Sequence, residues 1–487
     1  MYKRLMPKVK IVINNYINKF LEYKNPFLTL FFFYLIAFSA IIRANYTYAD
    51  DIGRTFEGYH GWLDWSRWTT ELLATFIHAN WKLTDISPFP QILACAIMSM
   101  GGVILLYIFK EKHNITLWNI FAVSITALAP YFLRMISYKF DSPYMALGFL
   151  VSVIPFCYRK HSRIIYMSVS IICLLVMCTT YQAYSGVYPM IVLFLIVHEI
   201  RNGKNIKNNL SFFRISITSY IISLCLFWFF LMRDNGVSIF SPTTFFSGII
   251  ERYVNYFLLV FKDFSIIWIL LIALIFICFV ITFTQDATIK KIPAILLAMV
   301  TILTSTLLCF GAYLFISREA YDVRAMCGIN VWLSLFAIYI SFHAKSWLPK
   351  AIYSALVWCF FVFALTHGNA LAQEQDYTDY RVQLIINDLN ELDVMNTNET
   401  KKLHVEGTIG NAPVNRNMSE IYPILKRTIY NEFTEGALGQ YYICNYINIP
   451  NVTPCDLKDM ETNLPILKDT MFHTIKGDCN NILITLK

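Results

Sequence analysis

Apolar runs close to bilayer-spanning length recur along the chain, at 26–42, 91–109, 115–133, 143–158, 164–180, 186–200, 212–232, 265–284, 292–317, 325–342 and 350–366. A helix needs about 20 predominantly apolar residues to cross a bilayer, and only helices or closed barrels satisfy their own backbone there. With 57% hydrophobic and only 15% charged residues, the chain carries too little charge for a soluble domain of its size. The pattern predicts an α-helical polytopic membrane protein with about 9–11 transmembrane helices.

The charges set its sidedness. Six of the residues before Pro26 are Lys or Arg, which holds the 1–25 segment in the cytoplasm. Within it Val9, Val12, Ile13, Tyr16, Ile17, Phe20 and Leu21 recur at helical spacing, the signature of an amphipathic helix lying on the membrane. The first apolar run has no small-residue cleavage site and reads as a retained span. Lys110/Lys112, Arg159/Lys160/Arg163, Arg201/Lys204/Lys207, Lys290/Lys291 and Lys345/Lys350 mark further cytoplasmic loops. The net charge of +8 is therefore the positive-inside pattern and no sign of nucleic-acid binding. No charge lies between Arg163 and His198, so the chain enters and returns there, as two short spans or a re-entrant hairpin. An odd number of spans places the C-terminus outside. The outer loops are then 43–90, about 134–143, 181–188, 233–264 and 318–324.

From His367 the composition turns soluble. Val382, Ile385, Ile386, Leu389 and Leu392 form a helical stripe, and 402–406, 441–444 and 482–486 read as strands. This predicts a transmembrane domain over 26–366, with outer loop 43–90 as its catalytic segment, and a small C-terminal periplasmic α/β domain over 367–487. Of twelve cysteines, nine lie in or beside apolar runs, and Cys444, Cys455 and Cys479 lie in this domain. At most one intrachain disulfide can form among those three. No zinc-ligand spacing occurs, and no metal or other cofactor is expected. A divalent ion on the acid pair described next is conceivable but not favoured, because too few further oxygen ligands are evident.

Asp50 and Asp51 follow the first span directly. Acids beside hydrocarbon usually mark function, and the pair suits a general base, since mutual repulsion and desolvation raise at least one pKa. The bland alternative is a solvated pair, because Arg54, Glu57, Asp64 and Arg67 crowd the same loop. Trp62, Trp65 and Trp68 are spaced for one helix side and offer flat faces to a sugar, or else anchor the helix at the interface. Arg318 and Arg324 in Ser-Arg-Glu-Ala-Tyr-Asp-Val-Arg (317–324) can clamp a lipid phosphate; the alternative is snorkelling. Asp141, in Asp-Ser-Pro, reads mainly as a helix start. Tyr181, Gln182, Tyr184 and Tyr188 are candidates to line a cavity. No histidine is assigned a role.

Together, the basic N-terminus, a first span, Tyr48-x-Asp50-Asp51-x-x-Arg54, Gly61-Trp62 and Ser66-Arg67, then many spans and a soluble tail resemble the phage-encoded, serotype-converting O-antigen glucosyltransferases of enteric bacteria, type II-like. Gly-Arg would be expected where Ser66-Arg67 stands. More broadly the chain is similar to the GT-C class of polyprenyl-phosphate-sugar transferases, whose essential outer-loop acid matches Asp50/Asp51. The resemblance implies a GT-C-like fold in the bacterial inner membrane, an undecaprenyl-phosphate-glucose donor, and a lipid-linked O-antigen acceptor, with rhamnose as the receiving sugar. One displacement with one base would invert the anomeric centre, and the residues read as substrate-binding around the catalytic acids are Arg54, Glu57, Trp62, Asp64, Trp65, Arg67, Arg318 and Arg324. The alternatives are a GT-C transferase using another lipid-linked sugar or a lipid A acceptor, and a non-enzymatic flippase or transporter. The near absence of charge inside the spans disfavours passage.

Overall fold

The computed structural model describes residues 23–487 except 112, 205, 234–237, 319–320, 397–398, 430, 432, 434–438, 441, 448 and 462. The amphipathic stripe expected over 9–21 lies outside the described residues. Among those described, eight helices are long and apolar enough to cross a membrane, from Phe89–Phe109 to Leu348–Asn390, and nine if the bent pair Leu117–Leu128 and Pro130–Ser137 counts as one. The first apolar run is helical over 23–37 and Ser39–Ala44. Ile266, Ile267, Leu270, Leu274, Ile277 and Ile281 form an exposed apolar band on one span, as a multi-pass membrane protein requires.

The local chemistry explains the breaks. Leu117–Leu128 starts on a capping box between Thr116 and Asn119. It stops because Pro130 drives Ala129 into extended backbone (φ −60°, ψ 147°), and the chain turns by 60°. Asn330 Nδ2 donates to the freed Ala129 carbonyl at 3.1 Å, from the central helix Gly328–His343, whose residues 328–342 are all buried. The charge-free stretch resolves into two span-length units, Arg163–Thr180 and Gln182–Arg201, the second opening with the tight turn Gln182–Gly186 before the helix Val187–Arg201. That turn packs against Gly311–Leu314. Ser185 Oγ accepts the Ala312 N–H at 2.8 Å, and a Cβ on Gly186 would sit 2.1 Å from the Leu308 carbonyl oxygen, so only glycine fits.

Two expectations change here. The run 143–158 forms Ser142–Tyr158, too short to span. The outer loop 233–264 contains a 19-residue helix, Phe245–Asp263.

Leu348–Asn390 runs unbroken through the change of composition at 366/367, about 65 Å at 1.5 Å per residue. Its last third buries Val382, Ile385 and Leu389 against a five-stranded sheet. The strands are β1 (Lys401–Glu406), β2 (Val452–Pro454), β3 (Ile466–Asp469), β4 (His473–Gly477) and β5 (Asn481–Leu486), in the order β2-β1-β5-β4-β3. β1 is parallel to β2 and β5, whereas β4 is antiparallel to β5 and β3. Where a strand was expected over 441–444, the described residues Tyr442–Tyr446 form a wide helical turn closed by Ile447 N–H to the Tyr442 carbonyl. Cys444, Cys455 and Cys479 are all free thiols.

Candidate active site

The acid pair opens the helix Asp50–Glu57, where carboxylates meet the positive end of the helix dipole. Ala49 before it holds φ +44°, a backbone that alanine adopts only under strain of roughly 1–3 kcal/mol. Successive helical side chains point about 100° apart, so the two acids face different surroundings. Asp50 is exposed and lines a cavity of about 840 Å³. Asp51 is fully buried, accepts the Lys139 N–H at 2.8 Å through Oδ2, and leaves Oδ1 without a hydrogen-bond partner. Burial, reinforced by the nearby Asp141 charge, pushes Asp51 up to about 7 despite Arg54 and Lys139. The raised carboxyl is thus the one that does not face the cavity. Ile52 packs into the C-terminal core, and Glu57 lies exposed and outside the cavity wall.

Arg54 points the other way, onto Asp141. Its Nη1 pairs with Asp141 Oδ2, while Trp62 Nε1 donates to Asp141 Oδ1 at 2.5 Å. Arg54 also lies 4.5 Å from the Trp62 ring centroid. Burial opposes ionisation of Asp141, but Arg54 and the Trp62 N–H outweigh it and hold the carboxyl below its usual range. Asp141 does precede a helix with proline in its first turn, yet its side chain makes no capping hydrogen bond. The helix-start reading therefore missed its main contacts, which come from 87 residues away.

The tryptophans do not share one helix side. Trp62 caps the short turn Leu63–Trp65, the chain reverses at Ser66 with φ +60°, and Trp68 begins a new helix, Trp68–Ile77. Trp62 is buried, whereas Trp65 and Trp68 are exposed. The left-handed backbone at Ser66 is the one glycine adopts freely, which accounts for the glycine expected there. Serine holds it while its Oγ accepts the Arg233 N–H at 2.9 Å.

Asp50, Arg54, Trp62, Asp64, Trp65, Arg67, Arg318 and Arg324 all line the same cavity. Residues from four of the loops expected on the outer side, 43–90, 181–188, 233–264 and 318–324, meet there, with Asp141 of the fifth just behind. Besides Arg54 over Trp62, three of its arginines lie against aromatic faces: Arg67 over Tyr181 at 5.0 Å, Arg318 over Trp65 at 5.3 Å and Arg324 over Tyr138 at 4.7 Å. A guanidinium bound by its face keeps its N–H edge for an oxyanion. Arg67 Nε is buried with no hydrogen-bond partner, and Arg324 Nε is 3.6 Å from Asp322 Oδ2. Leu224, Phe227, Trp228, Phe229 and Met232 give the cavity an apolar wall. Tyr181 and Gln182 line the cavity, but Tyr184 and Tyr188 sit in the core. Among the described residues no group of three or more His, Cys, Asp or Glu could hold a metal ion. Sequence reasoning passed over Asp322, although it lies inside the quoted 317–324 motif.

The family model described as "Glucosyl transferase GtrII" matches residues 39–341. The chain belongs to this family. It is therefore a glycosyltransferase, and the match covers every residue of the cavity wall. A protein of Salmonella phage P22, described as an uncharacterized 55.3 kDa protein in the gtrB 5' region, is 21% identical to this GtrII-family chain over 407 residues, covering 78% of this chain and 81% of the relative. No solved structure matches it significantly.

Proposed function

We propose that this glucosyltransferase moves glucose from undecaprenyl-phosphate-glucose onto a sugar, rhamnose in the preferred reading, of lipid-linked O-antigen and so converts serotype. One observation carries the reading: a single cavity holds an exposed carboxylate, a set of ring-stacked arginines and an apolar wall. The acceptor hydroxyl oxygen attacks glucose C1 and its proton passes to Asp50. The C1–O bond to the lipid phosphate breaks, and the phosphate keeps the electron pair. Arg324, Arg318 and Arg67 receive the growing negative charge. One displacement with one base inverts C1. The apolar wall takes the first isoprene units. A volume of about 840 Å³ falls within the usual range for ligand sites.

The positive-inside pattern supports a cytoplasmic 1–25 segment, with the cavity and the 367–487 domain on the periplasmic side; the GT-C-like 26–366 domain and the inner membrane are part of the same proposal, from the family resemblance. Glycan mass analysis of cells with and without the chain should report one added hexose per O-antigen repeat. Unchanged repeats would sink the acceptor assignment, and added hexose on lipid A would replace it. Reporter fusions after Lys160 and at Lys487 should read cytoplasmic and external.

A further inference from the structure

Arg427 lies outside the matched 39–341 segment, in the short helix Leu425–Thr428. Its fork reaches two elements. Nη1 pairs with Asp263, which is buried and also accepts the Tyr131 hydroxyl at 3.2 Å. Nη2 donates to the Tyr321 carbonyl. The next residue, Asp322, accepts the Arg324 N–H at 3.0 Å and lies 3.3 Å from Arg134 Nη1. Arg134 in turn donates to the Arg427 carbonyl at 3.2 Å. On the far side Arg324 lies over Tyr138, Tyr138 packs 4.8 Å from Tyr48, and the Tyr48 hydroxyl donates to the Thr428 carbonyl. The contacts close a ring through Arg427, Tyr321, Asp322, Arg324, Tyr138, Tyr48 and Thr428. Tyr48 precedes Asp50 by two residues.

We propose that Arg427 is a positioning residue, supplied by the C-terminal region, that fixes the arginine-bearing loop 318–324 relative to the helix carrying Asp50. The proposal rests on the donor-phosphate reading above. Among the described residues, the segments flanking Arg318 and Arg324 have only short turns of their own, so outside contacts set the place of Tyr321–Arg324. A planar fork that grips a carboxylate and a carbonyl at once fixes orientation as well as distance.

The test measures donor and acceptor kinetics in membranes holding equal protein, for Arg427→Ala, Arg427→Lys and Arg324→Lys. We expect Arg427→Ala to lower kcat roughly 10- to 100-fold, the scale of a 1 Å misplacement, and to raise donor KM with acceptor KM unchanged. Arg427→Lys should recover part of the loss by keeping the Asp263 pair. Combined with Arg324→Lys, the losses should be less than multiplicative, because both act through one loop. Wild-type kinetics in both Arg427 variants beside an impaired Arg324→Lys would overturn the brace and leave the phosphate reading standing. Wild-type donor use in Arg324→Lys would instead count against that reading. Equal shifts of both KM values would reduce Arg427 to a general structural role and overturn the proposal. If Arg427→Ala fails to accumulate, Tyr48→Phe tests the same ring by removing one hydroxyl. A smaller shift in the same direction supports the brace, and unchanged kinetics overturn it.

Discussion

The two ends of the helix bundle use their charges differently. At the end marked by Lys110, Lys160 and Lys204, a smaller cavity of about 340 Å³ sets two of its basic side chains against one carboxylate. Arg159 pairs with Glu199, His198 with Glu111 at 2.8 Å, and Lys204 lies 3.9 Å from Glu199. At the other end Arg67, Arg318 and Arg324 lie on aromatic rings. A carboxylate partner consumes the N–H edge of a guanidinium, whereas a ring leaves that edge available. On the donor-phosphate proposal, the second end keeps guanidinium edges for an anion, whereas the first spends its cations on carboxylates. Two cavity arginines depart from this pattern: Arg54 is spent on Asp141, and Arg324 has Asp322 Oδ2 at 3.6 Å from its Nε, which leaves its Nη groups free of that carboxylate.

The largest expected effect is at Asp50. Asp50→Asn should lower transfer ~100- to 10,000-fold, the contribution of a general base, with membrane protein level unchanged. Normal glucosylation by this variant would remove the exposed carboxylate from the chemistry. Asp141→Ala should act differently, by leaving Arg54 buried and unpaired. Removing one partner of a buried pair costs about 3–5 kcal/mol, so the variant should lose thermal stability and membrane level before any kinetic effect is read. A stable, abundant Asp141→Ala would show that Arg54 is not held as an ion pair.

The next contrast sets the two ends against each other. Arg324→Lys and Arg318→Lys keep the charge but lose the fork. Each should weaken donor use by about 1.5–3 kcal/mol, or roughly 10- to 150-fold, the worth of a charged hydrogen bond. Arg159→Lys at the opposite end should leave donor KM unchanged and move stability by no more than about 1 kcal/mol, because its partly exposed pair is solvent-screened. Equal donor KM shifts at both ends would erase the distinction.

Much of this was legible in the sequence because it is written locally. Run lengths located most of the apolar helices, eight or nine of span length against eleven runs, and eight of the ten proposed site residues line one cavity. What was missed depends on long-range pairing. Asp141 has a sufficient local explanation as a helix start, and nothing near it announces Arg54 at 87 residues' distance. Its signal was the clustering of Arg134, Lys139 and Asp141 between apolar runs. The tryptophan spacing suggested one helix because periodicity cannot register the reversal at Ser66. Glu57 was grouped with the site by proximity in sequence, but the helix turns it away.

The smallest effect separates the adjacent acids. Asp51 ionises only near pH 7 in the folded protein, against 3.8 as the unperturbed value. A carboxyl with a raised folded pKa holds its proton more tightly in the native state, so its contribution is fully present below about pH 4 and is lost as pH rises through about 7. Asparagine mimics the protonated form, can still accept the Lys139 N–H, and does not titrate. Asp51→Asn should therefore flatten the pH dependence of thermal inactivation between pH 4 and 7 and make the protein more resistant than wild type at pH 8. Transfer should persist within a few-fold, since Asp51 does not line the cavity. Loss of transfer at every pH in Asp51→Asn, beside an active Asp50→Asn, would exchange the two roles. The buried acid would then have to reach the acceptor through a rearrangement of the Asp50–Glu57 helix.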